Sequence, residues 1–141
     1  MAAAGLRAGS GEERPTGMYR RFLKSKLRDL RISGMRLDYP GSITLDRNYL
    51  EAADILPHEE VQVLNIESGS RITTYALVGK RGSGVAELNG PAAHSGSPGD
   101  RIFVLTYCTL AESEIAGHRP RVVSAARIQG ARRKRRLRRP G

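Results

Sequence analysis

The sequence contains little of what disulfides, metal sites and membrane spans require. Cys108 is the only cysteine, which excludes an internal disulfide and fits a reducing compartment. No CxxC pair or His/Cys cluster offers a metal site. No apolar run is long enough for a signal peptide or a membrane span. We therefore expect a soluble, cytoplasmic protein with no metal and no membrane partner.

Aromatic residues are also few, and positive charge is concentrated at one end. The chain has no tryptophan, five tyrosines and two phenylalanines, and its net charge is +10. Residues 131–141 hold seven of the lysines and arginines and no acid, which leaves +3 for the remainder. Such a run repels itself and buries no apolar surface, so it is predicted to be a disordered basic tail. Its charge favours weak attraction to phosphate or RNA, but we do not expect specific nucleic-acid binding.

The length of 141 residues predicts a single folded domain. Residues 1–17 are small and polar, and they are predicted to form a flexible N-terminal extension. Because Met18 stands where the periodic sequence begins, these residues could also result from an upstream start. Residues 18–130 are then the folded domain, followed by the basic tail over residues 131–141.

Turn residues divide this domain into short segments that favour strands. A long bent strand is predicted over residues 19–33, and Asp46 is placed to cap a short helix over residues 47–53. Further strands are predicted over residues 60–66, 71–78, 85–89, 101–109 and 121–126, with a second short helix over residues 110–116. Many short strands and only short helices indicate a mainly β protein that closes into a small barrel.

The dipeptide Gly41-Ser42 carries an unusual possible chemistry. A serine hydroxyl in a sharp turn can attack the preceding carbonyl, so that a peptide bond becomes an ester. Elimination from that ester would leave a chain that begins with a pyruvoyl group. Taken alone the pair is weak evidence, since Gly-Ser is an ordinary turn sequence.

Three other places could carry chemistry: Lys26, the run from Arg71 to Tyr75, and the turn that starts at Asn89 and ends at His94. Each has a structural interpretation that is more common. A strand lysine is usually solvated, a tyrosine usually packs with its hydroxyl at a rim, and a turn histidine usually makes a hydrogen bond. Singly, none of these places identifies a function.

In combination these motifs resemble the pyruvoyl-dependent aspartate 1-decarboxylases from Met18 to about Val123. The matching segments occur in the family's order and spacing: Lys26-Leu27, Leu37-Asp38-Tyr39-Pro40-Gly41-Ser42, Arg71-Ile72-Thr73-Thr74-Tyr75 and Asn89-Gly90-Pro91-Ala92-Ala93-His94. The resemblance implies a six-stranded double-psi β-barrel with short helices. It also implies a homotetramer with active sites between neighbouring subunits. The implied reaction converts L-aspartate to β-alanine and CO2 for pantothenate and coenzyme A synthesis.

The resemblance also implies how the cofactor is made. Ser42 would attack the carbonyl of Gly41 and become the pyruvoyl group, which forms a Schiff base with the substrate and replaces pyridoxal phosphate. Thr74 and Asn89 would assist this self-cleavage. Pro40 departs from the glutamate or valine of many relatives, and because it fixes φ it is expected to affect the cleavage rate.

The remaining roles implied by the resemblance concern the substrate. Tyr75 would donate a proton to the carbanion, and Lys26 would add positive potential. Arg71 would hold a carboxylate through two parallel hydrogen bonds. The substrate would also contact Thr74 and the turn formed by Gly90, Pro91 and Ala92, where Pro91 has no amide to donate.

Two alternatives remain. The first is a small basic β-barrel that binds nucleic acid or protein, but it predicts basic and aromatic residues interleaved on the strands rather than in a tail. The second is an uncleaved relative that keeps the barrel as a structural module. That alternative predicts the loss of Ser42, Arg71 or Tyr75, and all three are present.

Overall fold

The computed structural model describes residues 17–38 and 41–138, which form one mixed sheet and several short helices. The eight strands are β1 (Tyr19–Arg31), β2 (Gly34–Arg36), β3 (Ser42–Asp46), β4 (Glu60–Asn65), β5 (Arg71–Gly79), β6 (Ala86–Asn89), β7 (Arg101–Ala111) and β8 (Arg121–Ser124). The helices are α1 (Arg47–Ala53), a 3-10 helix (Gly90–Ser95), α2 (Glu112–Ile115) and α3 (Ala125–Arg138). No helix in the described ranges is long and apolar enough to cross a lipid bilayer.

The mainly β class is confirmed, whereas the six-stranded double-psi barrel is not. The strand order is β2-β6-β3-β5-β4-β7-β1-β8, an eight-stranded sheet that is not closed. The two shortest strands, β2 and β8, are three and four residues long and pair in parallel with β6 and β1. β8 lies within the strand predicted over residues 121–126, whereas no strand was predicted at β2, which is too short to show an alternating pattern.

Strand β1 is long and irregular, as predicted. Its pairing with β7 shifts register between Leu23 and Ser25 and again between Leu27 and Leu30. Asp29, within the second shift, has a positive φ of 57°. Each shift changes which side chains face inward, so the apolar residues of β1 follow no single period.

A buried carboxylate joins β3 to the following segments. Asp46 caps α1, as predicted, and accepts a hydrogen bond from the backbone N–H of Asn48 at 2.8 Å. It also accepts from the backbone N–H groups of Gly82 at 2.9 Å and Gly84 at 2.8 Å. Both glycines have positive φ, which lets the loop present its amides to one side chain. Asp46 is fully buried, and these three donors compensate for its desolvation.

The strands β5, β4, β7 and β1 have one face in the core and one face outside. Ala76, Val61 and Val104 are buried on the inner face. Because side chains alternate along a strand, Arg71 and Tyr75 lie on the outer face of β5. The core thus fixes the strands, and the side chains of Arg71 and Tyr75 project from the other side.

The basic tail differs from its prediction. Helix α3 begins at Ala125 and continues through Arg138, so residues 131–138 are helical rather than disordered. Its first turn is anchored, because Ser124 Oγ accepts from the backbone N–H of Arg127 at 3.2 Å and donates to Asp29 Oδ2 at 2.6 Å. Alanine and arginine have high helix propensity, so a helix nucleated on the domain can propagate into the tail.

Candidate active site

The predicted cleavage site lies at the start of β3, opposite the end of β6. Ser42 is fully buried and Asn89 is 1% exposed, and the two residues are Cα partners in the antiparallel ladder. Asn89 Nδ2 donates a hydrogen bond to Ser42 Oγ over 2.9 Å. The structure therefore brings together the two residues that the sequence places 47 positions apart.

Only one end of the Asn89 side-chain amide makes hydrogen bonds within the described residues. Its Nδ2 also donates to Thr44 Oγ1 at 2.9 Å, while its Oδ1 is buried without a hydrogen-bond partner among the described residues. A buried polar atom left unpaired costs about 1–3 kcal/mol. Such an atom in an otherwise well-paired core marks a place where a further polar group can be accommodated.

The turn after Asn89 is a 3-10 helix that contacts the cleavage pair. Gly90 opens it with a φ of 58°, a conformation that other residues adopt only with strain. A Cβ atom placed on Gly41 would lie 3.4 Å from Pro91 Cδ, so Pro91 lies directly against Gly41. Ala92 is buried at 8% exposure behind it. The structure thus brings the predicted turn and the predicted cleavage bond into contact.

Thr74 and Tyr75 lie on the strand beside the cleavage site. The parallel β3–β5 ladder pairs Ile43 with Ala76, and continuing this register backwards aligns Tyr75 with Ser42 and Thr74 with Gly41. Thr74 faces inward and Tyr75 outward, because successive side chains alternate. Within the described ranges, however, the Thr74 side chain makes no hydrogen bond to Gly41 or Ser42.

Two residues near the site were not singled out from the sequence. Thr44 shares the Asn89 amide with Ser42, and the two-residue spacing along β3 was the signal that could have identified it. His58 lies beside Tyr75, with ring centroids 6.2 Å apart and an interplanar angle of 34°. It follows Pro57 in a loop, and no local pattern connects it with β5.

Arg71 and Lys26 do not lie beside Ser42 in this chain. Arg71 starts β5, four residues before Tyr75, which corresponds to ~13 Å of strand. Its Nη1 donates to Gln62 Oε1 at 2.8 Å. Lys26 is on β1, and β5, β4 and β7 separate that strand from β3 in the sheet order. Its Nζ lies 4.2 Å from the centre of the Phe103 ring, a cation–π contact.

Two further predictions concern Pro40 and metal binding. Tyr39 and Pro40 lie outside the described residues, so the expected influence of Pro40 on the cleavage bond has no structural counterpart here. Among residues 17–38 and 41–138 there is no group of three or more histidines, cysteines or acids that could hold a metal ion.

Residues 18–129 match the family model described as aspartate decarboxylase. A protein from Syntrophobacter fumaroxidans named aspartate 1-decarboxylase is 48% identical over 106 residues, which cover 75% of this chain and 86% of the relative. Relatives with the same name from Acaryochloris marina and Myxococcus xanthus are each 46% identical over 106 residues, and the alignments cover 81% and 82% of those proteins. Since the matched range includes every strand of the sheet, the chain belongs to the aspartate decarboxylase family.

Proposed function

We propose that this chain cuts itself between Gly41 and Ser42 and then decarboxylates L-aspartate to β-alanine and CO2. The β-alanine would supply pantothenate and coenzyme A synthesis. The observation that carries the proposal is the buried hydrogen bond from Asn89 Nδ2 to Ser42 Oγ, over 2.9 Å. Family membership and the names of the relatives support the choice of substrate.

The self-cleavage uses no external reagent except water. Ser42 Oγ attacks the Gly41 carbonyl carbon, and the peptide nitrogen leaves as an amine, which gives an ester. Loss of the Ser42 α-proton expels the Gly41 carboxylate and leaves a dehydroalanine residue. Water then converts this residue to a pyruvoyl group and releases ammonia. The Asn89 amide supports the first step, because it fixes Ser42 Oγ at the scissile bond.

The residues around position 42 fit a pyruvoyl group. Asn89 Nδ2, which donates to Ser42 Oγ, could donate in the same way to a pyruvoyl oxygen, while its buried, unpaired Oδ1 could accept from an N–H group such as the substrate amine. The surrounding side chains are buried, which excludes water from an electrophilic carbonyl. Once formed, the group supplies a carbonyl that condenses with the substrate amine and accepts the electron pair left by CO2.

Tyr75 is the proposed proton donor. When the β3–β5 register is continued, the backbone of Tyr75 lies opposite that of Ser42. The Tyr75 ring lies beside the ring of His58. A phenol at this position can return a proton to the substrate carbon after CO2 has left. Gly90 and Ala92 offer backbone amides on the opposite side, next to Gly41 and Pro91.

We propose that Arg71 and Lys26 act on the site of a neighbouring subunit in a homotetramer. Both project from the outer face of the sheet, at a distance from Ser42 of the same chain. The outer face of β4 and β7 also carries the half-buried Leu64 and Phe103, and apolar side chains of this kind favour burial against a partner. An arginine brought to the pyruvoyl end from a neighbour would hold a substrate carboxylate by two hydrogen bonds.

Intact-mass analysis of the purified protein tests the proposal. We expect two pieces that meet between residues 41 and 42, with the larger blocked to Edman sequencing by its pyruvoyl end. Ser42→Ala should give one uncut chain and no CO2 release from aspartate, while Ser70→Ala, in the loop before β5, should leave both unchanged. A wild-type chain that stays intact after long warming would overturn the proposal and favour a binding or structural module.

A further inference from the structure

Helix α3 carries a dense, unpaired positive charge that the proposed reaction does not use. It contains seven lysines and arginines and no acid. Six of the seven residues from Arg132 to Arg138 are cationic. None of these cations makes an ion pair or a hydrogen bond within the described part of the chain. The charge is therefore available to an external anion.

The helix forms one wall of a groove whose other wall is α1. The groove has a volume of about 810 Å³ and is lined by five arginines together with Asn48, Ala52, Ile128 and Ala131. Arg81, on the α1 side, already forms a bidentate pair with Glu51, at 2.7 and 2.8 Å. The side chains of the other four arginines, on α3, make no ion pair or hydrogen bond within residues 17–38 and 41–138: Arg127, Arg132, Arg135 and Arg136.

The position of α3 is fixed by contacts in its first half. Gln129 Nε2 donates to Tyr49 Oη at 2.9 Å and to the buried Asp46 carboxylate at 3.3 Å. One turn later the Arg132 guanidinium lies against the backbone of Gly82. These contacts hold helix α3 along the groove. The cations of the helix therefore form a surface of defined shape.

We infer that this surface, the α3 groove, binds the phosphate backbone of duplex nucleic acid without reading its sequence. Between Arg132 and Arg138 the helix carries six cations, and three of them line the groove: Arg132, Arg135 and Arg136. Duplex DNA carries one negative charge per ~1.7 Å of its axis, so several phosphates come within reach of these three arginines. Guanidinium groups also match phosphate oxygens by two parallel hydrogen bonds.

Other anionic partners fit the helix less well. A membrane-surface helix needs an apolar face, but Leu137 is the only apolar residue between Arg132 and Arg138, and it is 86% exposed. No aromatic residue lines the groove, so stacking on unpaired bases is absent from the described surface. Backbone contact alone carries no sequence information, which agrees with the expectation that specific nucleic-acid binding is absent.

Anion binding would also relieve repulsion inside the helix. Arg132 and Arg136, and Lys134 and Arg138, are i,i+4 pairs of like charge, which destabilise a helix. Phosphates placed between them would replace this repulsion with attraction. The second half of α3 should therefore become more protected from hydrogen exchange when duplex is bound.

The test is fluorescence anisotropy of the full chain with a labelled 20-base-pair DNA of random sequence, over a range of salt concentrations. The groove variant Arg132→Gln/Arg135→Gln/Arg136→Gln should bind at least tenfold more weakly at low salt. Its slope of log affinity against log salt should be smaller by roughly 2–3, because each phosphate contact contributes about 0.9. The matched control Arg20→Gln/Arg31→Gln/Arg119→Gln removes the same charge from exposed sites outside the groove and should stay within twofold of wild type.

Hydrogen exchange of residues 131–138 supplies a second readout. It should slow on addition of the duplex in wild type and not in the groove variant. Equal weakening by both triple variants would overturn the inference, since net charge alone would then explain binding. So would the absence of duplex binding at low salt, or tighter binding to phosphatidylglycerol vesicles than to duplex. Self-cleavage, followed by intact mass in the same samples, reports separately on the proposed function.

Discussion

Asn89 and Ser42 face each other across the β3–β6 ladder, and the Asn89 amide donates to Ser42 Oγ at 2.9 Å. The same amide donates to Thr44 Oγ1, so a single side chain positions two hydroxyls on one face of β3. If the Ser42 hydroxyl is the nucleophile, its rate of attack depends on this positioning. Mutation can separate the effect of the hydrogen bond to Ser42 from that of the hydrogen bond to Thr44.

Asn89→Ala should slow cleavage at residue 41–42 at least tenfold, because Ser42 Oγ loses the group that holds it near the scissile carbonyl. The measurement is a time course of intact mass after purification. Thr44→Val is the matched control: it removes the other hydrogen bond of Asn89 and keeps the one to Ser42. Cleavage of Asn89→Ala at the wild-type rate would show that the contact has no part in maturation.

Thr74→Val should leave a folded but largely uncleaved chain. Thr74 is aligned with Gly41 by the β3–β5 register, and valine keeps its shape while removing the hydroxyl. Circular dichroism checks the fold and intact mass checks cleavage. Thr73→Val, one residue earlier on the outer face of the same strand, should cleave normally. Prompt and complete cleavage of Thr74→Val would count against the assignment.

Tyr75→Phe should separate maturation from catalysis. The variant is expected to cut itself, since its hydroxyl has no role in the attack of Ser42. Its kcat should fall by about 10²–10⁴, the usual contribution of a positioned acid, with little change in KM. Tyr19→Phe, which alters a 62% exposed tyrosine at the start of β1, should leave kcat unchanged. Full activity in Tyr75→Phe would remove the phenol from the mechanism.

Subunits that carry Ser42→Ala and Arg71→Ala should complement each other. Each variant alone is expected to be inactive, one without the pyruvoyl precursor and the other without its carboxylate ligand. When they are co-expressed, the Arg71 side chain of a Ser42→Ala subunit can bind substrate at the pyruvoyl group of a neighbouring Arg71→Ala subunit. Aspartate decarboxylation should then reappear. The measurement is CO2 release by the mixed oligomer, purified through two different tags. No recovery in an oligomer that contains both chains would mean that each site uses its own Arg71.

Glu67 and Arg101 should make stability depend on acid pH. Hydrogen bonds from the Arg101 guanidinium, and then from its backbone N–H, lower the pKa of Glu67 to about 2 from 4.5. Because the folded-state pKa is the lower one, the stabilisation is complete above pH 4.5 and is lost as pH falls towards 2. The Tm difference between wild type and Glu67→Gln should therefore shrink over that range. The Tm difference between wild type and Arg101→Gln should shrink over the same pH range. A Tm difference that does not change with pH would contradict the pairing of Glu67 with Arg101.

Much of the local structure could be predicted from the sequence. Asp46 was identified as the cap of α1 because an aspartate before a helical segment can accept a backbone hydrogen bond, and the structure confirms this with Asn48. Strands β4 and β5 were identified by their alternation on either side of a Ser-Gly turn. These features depend on residues close together in the chain.

The features that the sequence could not supply depend on distant residues. β2 is three residues long and exists by pairing with β6, more than fifty positions later. The approach of His58 to Tyr75 and the unpaired Oδ1 of Asn89 are consequences of tertiary packing. The helical extension of the basic tail follows from contacts such as the hydrogen bond from Gln129 to Tyr49. The local pattern of charges gives no indication of such a contact.

If the chain is cut after residue 41 as proposed, the place of β1 in the sheet has a consequence for the cleaved protein. The 13 residues of β1 pair with β7 on one side and β8 on the other, and β2 pairs with β6. A break after residue 41 therefore puts two strands on a separate polypeptide that remains integrated in the fold. Once denatured, such a molecule must reassemble from two species, so its recovery depends on protein concentration and its refolding is second order. The uncut precursor refolds as one chain, and the comparison of the two gives a direct measure of how much the covalent link contributes to folding.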